Sequence, residues 1–216
     1  MKKNLTEIVF ILDRSGSMAG LEKDTIGGFN AMLEKQKREP GKALVSTVLF
    51  DNTADVIHDR LPLHRVPRLT DREYYVRGCT ALLDAVGGAI THIRRVHKYI
   101  REEDRPEKTL FVITTDGYEN ASHQYSSDKV KELIQQQKEC GWEFLFLGAN
   151  IDAVQEAAKF GIDEACAVDY CCDARGTELN YEVLSAAVSQ VRSSGAGKKL
   201  GRGWKKRIEE DYAERR

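Results

Sequence analysis

The apolar run IVFIL at residues 8–12 is followed at once by the polar segment DRSGS at residues 13–17. A strand with apolar side chains at every position is buried on both faces, which is typical of a parallel sheet between two layers of helices. The loop at the carboxyl end of such a strand is where open α/β sheets place their ligand sites. This stretch therefore predicts a layered α/β fold with a binding site at the end of the first strand.

Side-chain oxygens alternate along the polar segment. Asp13, Ser15 and Ser17 offer one carboxylate and two hydroxyls that can converge on one point, and Gly16 lets the chain turn tightly between the serines. An all-oxygen cluster with a single carboxylate suits a hard cation such as Mg2+. The same residues could instead cap a helix, so by themselves they leave both interpretations open.

Two later segments favour the metal site. Thr80, within GCTALLD, stands near the start of a predicted helix, where its hydroxyl can bind an ion or cap the helix. Asp116 ends the strand-like run TLFVITTD, and Gly117 forms the turn after it. If the two strands are parallel, Asp116 lies at the same edge of the sheet as Asp13.

Together these segments resemble the metal-ion-dependent adhesion site of von Willebrand factor type A domains, over about residues 5–190. The stretch LFLGANIDAVQEAAKFGI at residues 145–162 also resembles stand-alone bacterial members of that family. The resemblance implies a bound Mg2+ or Mn2+ whose ligands are Asp13, Ser15, Ser17, Thr80 and Asp116. Around these ligands, or in contact with a partner, we place Asp51, Gly16 and Gly117. The alternative role of Asp51 is to cap a hairpin.

The resemblance implies a function as well as a fold. One coordination position of the ion stays exchangeable and takes a Glu or Asp carboxylate from a partner protein, so that the metal bridges an interface. The expected fold is a doubly wound α/β domain of about six mostly parallel strands with helices on both faces. A short antiparallel edge strand is expected near residues 54–58. We expect a monomer without catalytic activity.

Two other functions stay open. A metal-dependent phosphatase or hydrolase could use Asp13 as its nucleophile, but phosphatases that begin this way need a second carboxylate two residues later as general acid. This chain has Ser15 there. The basic segment at residues 198–207, which surrounds Trp204, could bind nucleic acid.

Charge divides the chain into two parts. Residues 192–216 carry nine Lys or Arg and four Asp or Glu, a net charge of +5. The rest carries 24 basic and 30 acidic residues, a net charge of −6. We therefore predict a type A domain over residues 1–191 and a basic, flexible and solvated tail over residues 192–216.

Composition and cysteine content bear on location. Of the 216 residues, 41% are hydrophobic and 31% are charged, as in soluble globular proteins. No apolar run approaches the ~18 residues that a membrane span needs, and the first strand begins too early to leave room for a signal peptide. Five cysteines without regular spacing argue against a secreted disulfide framework. We expect a cytoplasmic protein that does not bind membranes.

Overall fold

A six-stranded sheet lies between two layers of helices in the computed structural model, which describes residues 1–195 and 197–215. The strands are β1 (Lys2–Asp13), β2 (Lys42–Phe50), β3 (Ala54–Pro62), β4 (Pro106–Thr115), β5 (Glu143–Gly148) and β6 (Ala167–Asp169). The α-helices are α1 (Glu22–Arg38), α2 (Leu82–Tyr99), α3 (Ser127–Glu139), α4 (Ala153–Lys159), α5 (Ala174–Ser193) and α6 (Lys206–Glu214). The predicted doubly wound α/β fold is confirmed.

The order of the strands determines where a ligand site can lie. The order is β3-β2-β1-β4-β5-β6, and all neighbouring strands are parallel except β2 and β3. The chain moves away from β1 through β2 on one side and through β4 on the other. The carboxyl ends of β1 and β4 therefore form the switch point at which open α/β sheets bind ligands. Asp13 is the last residue of β1, and Asp116 directly follows β4.

Apolar side chains of β1 alternate between the two helical layers, as the uninterrupted apolar run predicts. Ile8, Phe10 and Leu12 pack in the cluster that contains the inner faces of α1 and α5. Val9 and Ile11 pack on the other face, in the cluster that contains α2 and α3. Fully burying each such side chain contributes about 1.5–3 kcal/mol, so β1 anchors both layers and holds the loop after it in place.

The antiparallel edge strand is longer than predicted. It runs over Ala54–Pro62 and not only over residues 54–58, with two irregularities in its register against β2. Arg60 has a φ of +49°, and its Nε donates to Glu7 Oε1 across the sheet at 2.5 Å. This ion pair joins residues far apart in sequence, so the local pattern gave no sign that the strand continues.

The C-terminal segment is packed, in contrast to the flexible tail that the charge pattern predicts. A 3-10 turn, Arg202–Lys205, and helix α6 lie against β6 and α5. Ile208 is 1% exposed, and the Trp204 indole N–H donates to the Ala165 carbonyl at 2.9 Å. The segment thereby covers the short edge strand β6, a common way to protect a sheet edge.

Lys205 is buried, although a basic composition predicts a solvated tail. Its ammonium group donates to the carbonyls of Ala167 at 2.7 Å and Glu164 at 2.8 Å, and it pairs with Glu209 at 3.0 Å. A lysine whose donors are satisfied in this way can be buried. Ala196 and Arg216, which also belong to the predicted tail, lie outside the described residues.

Candidate functional site

The carboxylate of Asp13 lies at the bottom of the site and is held on both sides. Asp13 is 2% exposed, and its Oδ1 accepts a hydrogen bond from the Ser15 N–H at 2.7 Å. Its Oδ2 accepts from the Thr115 hydroxyl at 2.6 Å. The Tyr74 hydroxyl donates to the Asp13 carbonyl, also at 2.6 Å. These contacts hold the end of β1 and the start of the polar loop in place at the edge of the sheet.

A chain of hydroxyl groups connects this loop to Asp116. The Ser17 hydroxyl donates to Asp116 Oδ1 at 2.5 Å, and Ser15 Oγ lies 3.0 Å from Ser17 Oγ. Because the Ser17 hydrogen points to Asp116, the Ser15 hydroxyl is the donor in the second bond. Three of the predicted ligands are thus in direct contact with one another.

Thr80 borders the same space. A Cβ added at Gly117 would lie 3.6 Å from Thr80 Oγ1 and 3.7 Å from Ser17 Oγ, so both hydroxyls face Gly117. Asn120 fixes Thr80, since its side-chain oxygen accepts from the Thr80 N–H at 2.9 Å and its own N–H donates to the Thr80 carbonyl at 3.0 Å. The structure therefore brings all five predicted ligands to one edge of the sheet.

Gly16 lies in a tight turn between the two serines, as the sequence predicts: it begins the 3-10 turn Gly16–Met18, and the Met18 N–H donates to the Ser15 carbonyl at 3.0 Å. The φ of Gly16 is not in the left-handed region. Its N–H donates to the Gly78 carbonyl at 3.1 Å, and an added Cβ would lie 3.3 Å from that oxygen. Gly16 thus allows the first loop to approach the loop that carries Thr80.

Asp51 caps the hairpin, one of the two arrangements that the sequence left open, and it also binds the loops beside it. Its Oδ1 accepts from the Thr53 N–H at 3.0 Å and caps the β2–β3 turn. Its Oδ2 accepts from Arg14 Nε at 2.8 Å and Arg77 Nε at 2.7 Å. Its carbonyl accepts from the N–H of Ala81 at 2.8 Å. Asp51 therefore joins the loops on which the predicted ligands stand.

The carboxylates differ in their electrostatic surroundings. Burial raises the pKa of Asp13 to about 6, with a smaller contribution from the charge of Asp116, and burial also raises the pKa of Asp116. Burial opposes ionisation of Asp51 as well, but hydrogen bonds from Arg77, Thr53 and Arg14 outweigh it and lower its pKa. Within the described part of the chain, no Lys, Arg or His forms an ion pair with Asp13 or Asp116, whereas two arginines pair with Asp51.

Sequence reasoning missed several residues of the site. Thr115 binds Asp13, Asn120 fixes Thr80, and the Cys172 thiol donates to Asp116 Oδ2 at 3.8 Å. Cys172 follows β6, whose carboxyl end lies at the same edge as those of β1 and β4. That position was the one signal that could have associated Cys172 with the site.

The donor atoms determine which ions the site fits. No group of three or more His, Cys, Asp or Glu side chains in the described chain is arranged to hold a metal ion. An ion at this edge must therefore rely on the Ser and Thr hydroxyls. Hydroxyl and carboxylate oxygens are ligands for hard cations such as Mg2+ and Mn2+. Two carboxylates that form no ion pair with any described side chain fit such an ion electrostatically.

Comparison with known proteins identifies the fold. No protein-family model and no curated protein matches the sequence. Among solved structures, the pilus adhesin SpaC from Lactobacillus rhamnosus GG in its open conformation matches with a TM-score of 0.65 and 11% identity, over 88% of this chain and 30% of that one. The von Willebrand factor domain of the type V pili tip protein from Porphyromonas gingivalis matches with a TM-score of 0.61 and 10% identity, over 90% and 98% of the two chains.

A third structure was determined with zinc bound. Proximal thread matrix protein 1 from the mussel byssus, with zinc in its MIDAS motif, matches with a TM-score of 0.60 and 15% identity over 85% of this chain. The present chain spans 46% of that protein. It therefore has the fold of von Willebrand factor type A domains, as the sequence predicts. No helix within the described residues is long and apolar enough to cross a membrane.

Proposed function

We propose that this chain is a protein-binding module whose binding depends on a divalent ion, Mg2+ or Mn2+. The proposed ligands are Asp13, Ser15, Ser17, Thr80 and Asp116. When bound, such an ion supplies an exchangeable coordination position, which a Glu or Asp carboxylate of a partner protein fills. The five side chains named above would hold the ion at the edge of the sheet.

The observation that carries the proposal is the hydroxyl chain from Ser15 through Ser17 to Asp116, set above the buried carboxylate of Asp13. Two acids with raised pKa values and no cationic partner among the described residues are unfavourable unless a cation neutralises them. The zinc-occupied motif in the byssus protein and the adhesin among the structural neighbours agree with this function.

Calorimetric titration of the metal-free protein with Mg2+ and Mn2+ tests the ion. We expect one site per chain, and we expect Asp13→Ala to abolish it, since the first loop has no other carboxylate. Ser15→Ala and Ser17→Ala should weaken binding less, because they remove neutral ligands. The exposed Asp71 provides a matched control, and Asp71→Ala should bind like the wild type. Unchanged affinity in Asp13→Ala would reject the ligand assignment.

Affinity capture tests the partner. Proteins whose binding depends on the metal should be retained with Mg2+ and lost in EDTA. They should also be lost with the Asp13→Ala variant and retained with Asp71→Ala. A captured protein should lose binding when one Glu or Asp on its surface is replaced by Gln or Asn. If capture is the same with and without metal, the bridging role is wrong.

The enzymatic alternative is less well supported by the geometry. Ser15 stands two residues after Asp13, where phosphatases with an Asp nucleophile need a second carboxylate as general acid, and its hydroxyl is hydrogen-bonded to Ser17. The basic segment is also a weak nucleic-acid site, because Arg202, Lys205, Lys206 and Arg207 all pair with acidic residues. Turnover in a broad phosphatase screen that disappears with Asp13→Asn would overturn the binding-only function.

We further propose that the protein is a cytoplasmic monomer. All five cysteines are free thiols in the structure, which suits a reducing compartment. Alkylation of thiols in fresh lysate should label the protein without prior reduction, and gel filtration should give the mass of one chain. A disulfide-bonded native form would contradict the location.

A further inference from the structure

A cavity of about 950 Å³ lies at the edge of the sheet opposite the proposed metal site. It is bordered by the last turns of α2 and α3, by the start of β4 and by the residues just before β5. The proposed metal ligands stand at the carboxyl ends of β1 and β4 or in the loops beside them, so the length of the sheet separates the two places. The cavity is therefore independent of the proposed function.

Several polar side chains in the wall of the cavity are buried and lack a partner. Gln137 is 5% exposed and Thr109 is 3% exposed, and neither the amide nor the hydroxyl forms a hydrogen bond with any described residue. Arg105 Nε is also buried without an acceptor among those residues. A polar group buried in this way costs free energy unless something forms a hydrogen bond with it. These groups are therefore available to a polar ligand.

The charges around the cavity favour an anion. Four cationic side chains line it, and none of them forms an ion pair within the described part of the chain: Arg94, Arg95, Lys98 and Arg105. Glu102 and Glu107 line it as well, so the cations outnumber the carboxylates by four to two. His97 is not counted, because it already pairs with the buried Glu7 at 2.5 Å.

The donors and the nearby helix ends determine which anion fits. The guanidinium group of an arginine presents a planar fork of N–H donors that matches the oxygens of a phosphate group. The carboxyl ends of α2 and α3 also lie at the cavity, and their dipoles repel anions. A singly charged ligand is therefore disfavoured, whereas linked phosphate groups that contact several cations at once offset this repulsion.

We propose that this cavity binds an organic phosphate with two linked phosphate groups, of the chemical class of nucleoside diphosphates. The arginines and Lys98 hold the phosphates. The Gln137 amide and the Thr109 hydroxyl both donate and accept, so they suit the hydroxyl and amide groups of the organic part. The volume of the cavity lies within the ~300–1,000 Å³ that is usual for small-molecule sites, which leaves room for that part beside Trp142.

Calorimetric titration of the full-length protein with ADP tests the proposal. The titration is done in EDTA, so that no divalent ion occupies the proposed metal site, and we expect one ADP per chain. Arg95→Gln and Arg105→Gln should each weaken binding about tenfold or more, the scale of one hydrogen bond to a charged group. Arg95 is exposed, so its variant stays informative if Arg105→Gln does not fold. The matched control is Arg101→Gln, since Arg101 lies outside the lining and pairs with Glu103; this variant should bind ADP like the wild type.

Pyrophosphate and adenosine separate the two parts of the ligand. Pyrophosphate should bind and should depend on Arg95, whereas adenosine should not bind measurably. Gln137→Leu should weaken the binding of ADP but not that of pyrophosphate, which has no organic part. Trp142 lines the cavity and Trp204 does not, so ADP should change the fluorescence of the wild type and of Trp204→Phe alike.

Four results would overturn the proposal. The first is a wild type that binds neither ADP nor pyrophosphate, and the second is unchanged ADP affinity in Arg95→Gln and Gln137→Leu. Citrate that binds as tightly as ADP would show a general attraction for anions. ADP binding that requires Mg2+ or is lost with Asp13→Ala would place the nucleotide at the metal site.

Discussion

Replacing Asp13 with asparagine should stabilise the metal-free protein at neutral pH, although it should abolish metal binding. Burial raises the pKa of Asp13 to about 6, from an ordinary value of about 3.9. That difference corresponds to about 3 kcal/mol by which ionisation at pH 7 disfavours the folded state relative to the unfolded chain. Asparagine is uncharged, so it avoids most of this cost.

The hydrogen bonds around Asp13 allow the substitution. An asparagine oxygen can accept from the Ser15 N–H in place of Oδ1, which now does so at 2.7 Å. Its amide group can donate to Thr115 Oγ1, and the Thr115 hydrogen can turn to the Gly117 carbonyl, 3.1 Å away. No buried polar group loses its partner, so we subtract no penalty for an unmade hydrogen bond.

Urea unfolding followed by the fluorescence of Trp142 and Trp204 provides the assay. In EDTA at pH 7, the variant should be more stable than the wild type by about 1–3 kcal/mol. Because the folded wild type holds the Asp13 proton more tightly than the unfolded chain does, its relative stability is greatest below about pH 4 and is lost as the pH rises through about 6. At pH 4.5 the advantage of the variant should therefore fall to about a third of its value at pH 7. Saturating Mg2+ should stabilise only the wild type.

Two results would refute this reasoning. A variant that is less stable than the wild type in EDTA at pH 7 would mean that the ionised carboxylate is favourable in the folded state. An advantage of equal size at pH 4.5 and pH 7 would mean that charge is not its cause. Asp71→Asn, at an exposed position, controls for loss of charge and should change stability by less than about 0.5 kcal/mol.

Three further predictions concern packing and buried charge. Ile208→Ala should lower the free energy of unfolding by about 2–4 kcal/mol, because Ile208 is 1% exposed; unchanged urea denaturation would show that α6 adds no stability. Burial lowers the pKa of His58, so the stability it contributes should be present above about pH 6.5 and decline as the pH falls below that value; a His58→Gln variant with the same pH profile would contradict this. Arg14→Met should cost about 2 kcal/mol or more in thermal unfolding, because Asp51 would keep only the half-exposed Arg77; a stable variant would show that one arginine suffices.

Most of the fold, and the place of the proposed ligands at one edge of the sheet, could be predicted from the sequence because both follow from local patterns. An apolar run of five residues must be buried on both faces, and parallel strands must end at one edge of the sheet. The parallel arrangement of β1 and β4 is therefore enough to place Asp13 and Asp116 at the same edge of the sheet. Periodicity could not predict the length of β3, which pairs with β2 as far as Pro62 and carries Arg60, the ion-pair partner of Glu7.

The residues that support the site were beyond sequence reasoning because their partners are distant. Thr115 binds a residue 102 positions away, the Tyr74 hydroxyl one 61 positions away, and Cys172 one 56 positions away. Nothing in a single sequence pairs such positions. The prediction of a flexible tail was wrong for a related reason. The sequence suggests that the Lys205 ammonium group is solvated, but in the structure it is buried and donates to two backbone carbonyls distant in sequence.

Asp51 differs from Asp13 and Asp116 in how its charge is neutralised. This difference explains how one cluster of loops could be held rigidly and still bind an ion. Arg14 and Arg77 neutralise Asp51, so its pKa is low and it stays ionised without an external cation. No described cationic side chain forms an ion pair with Asp13 or Asp116, and their pKa values are raised. The fold thus places its arginines on the carboxylate that holds the loops together. In the proposed function, a bound ion neutralises the other two, and relieving the cost of burying them uncompensated favours metal binding.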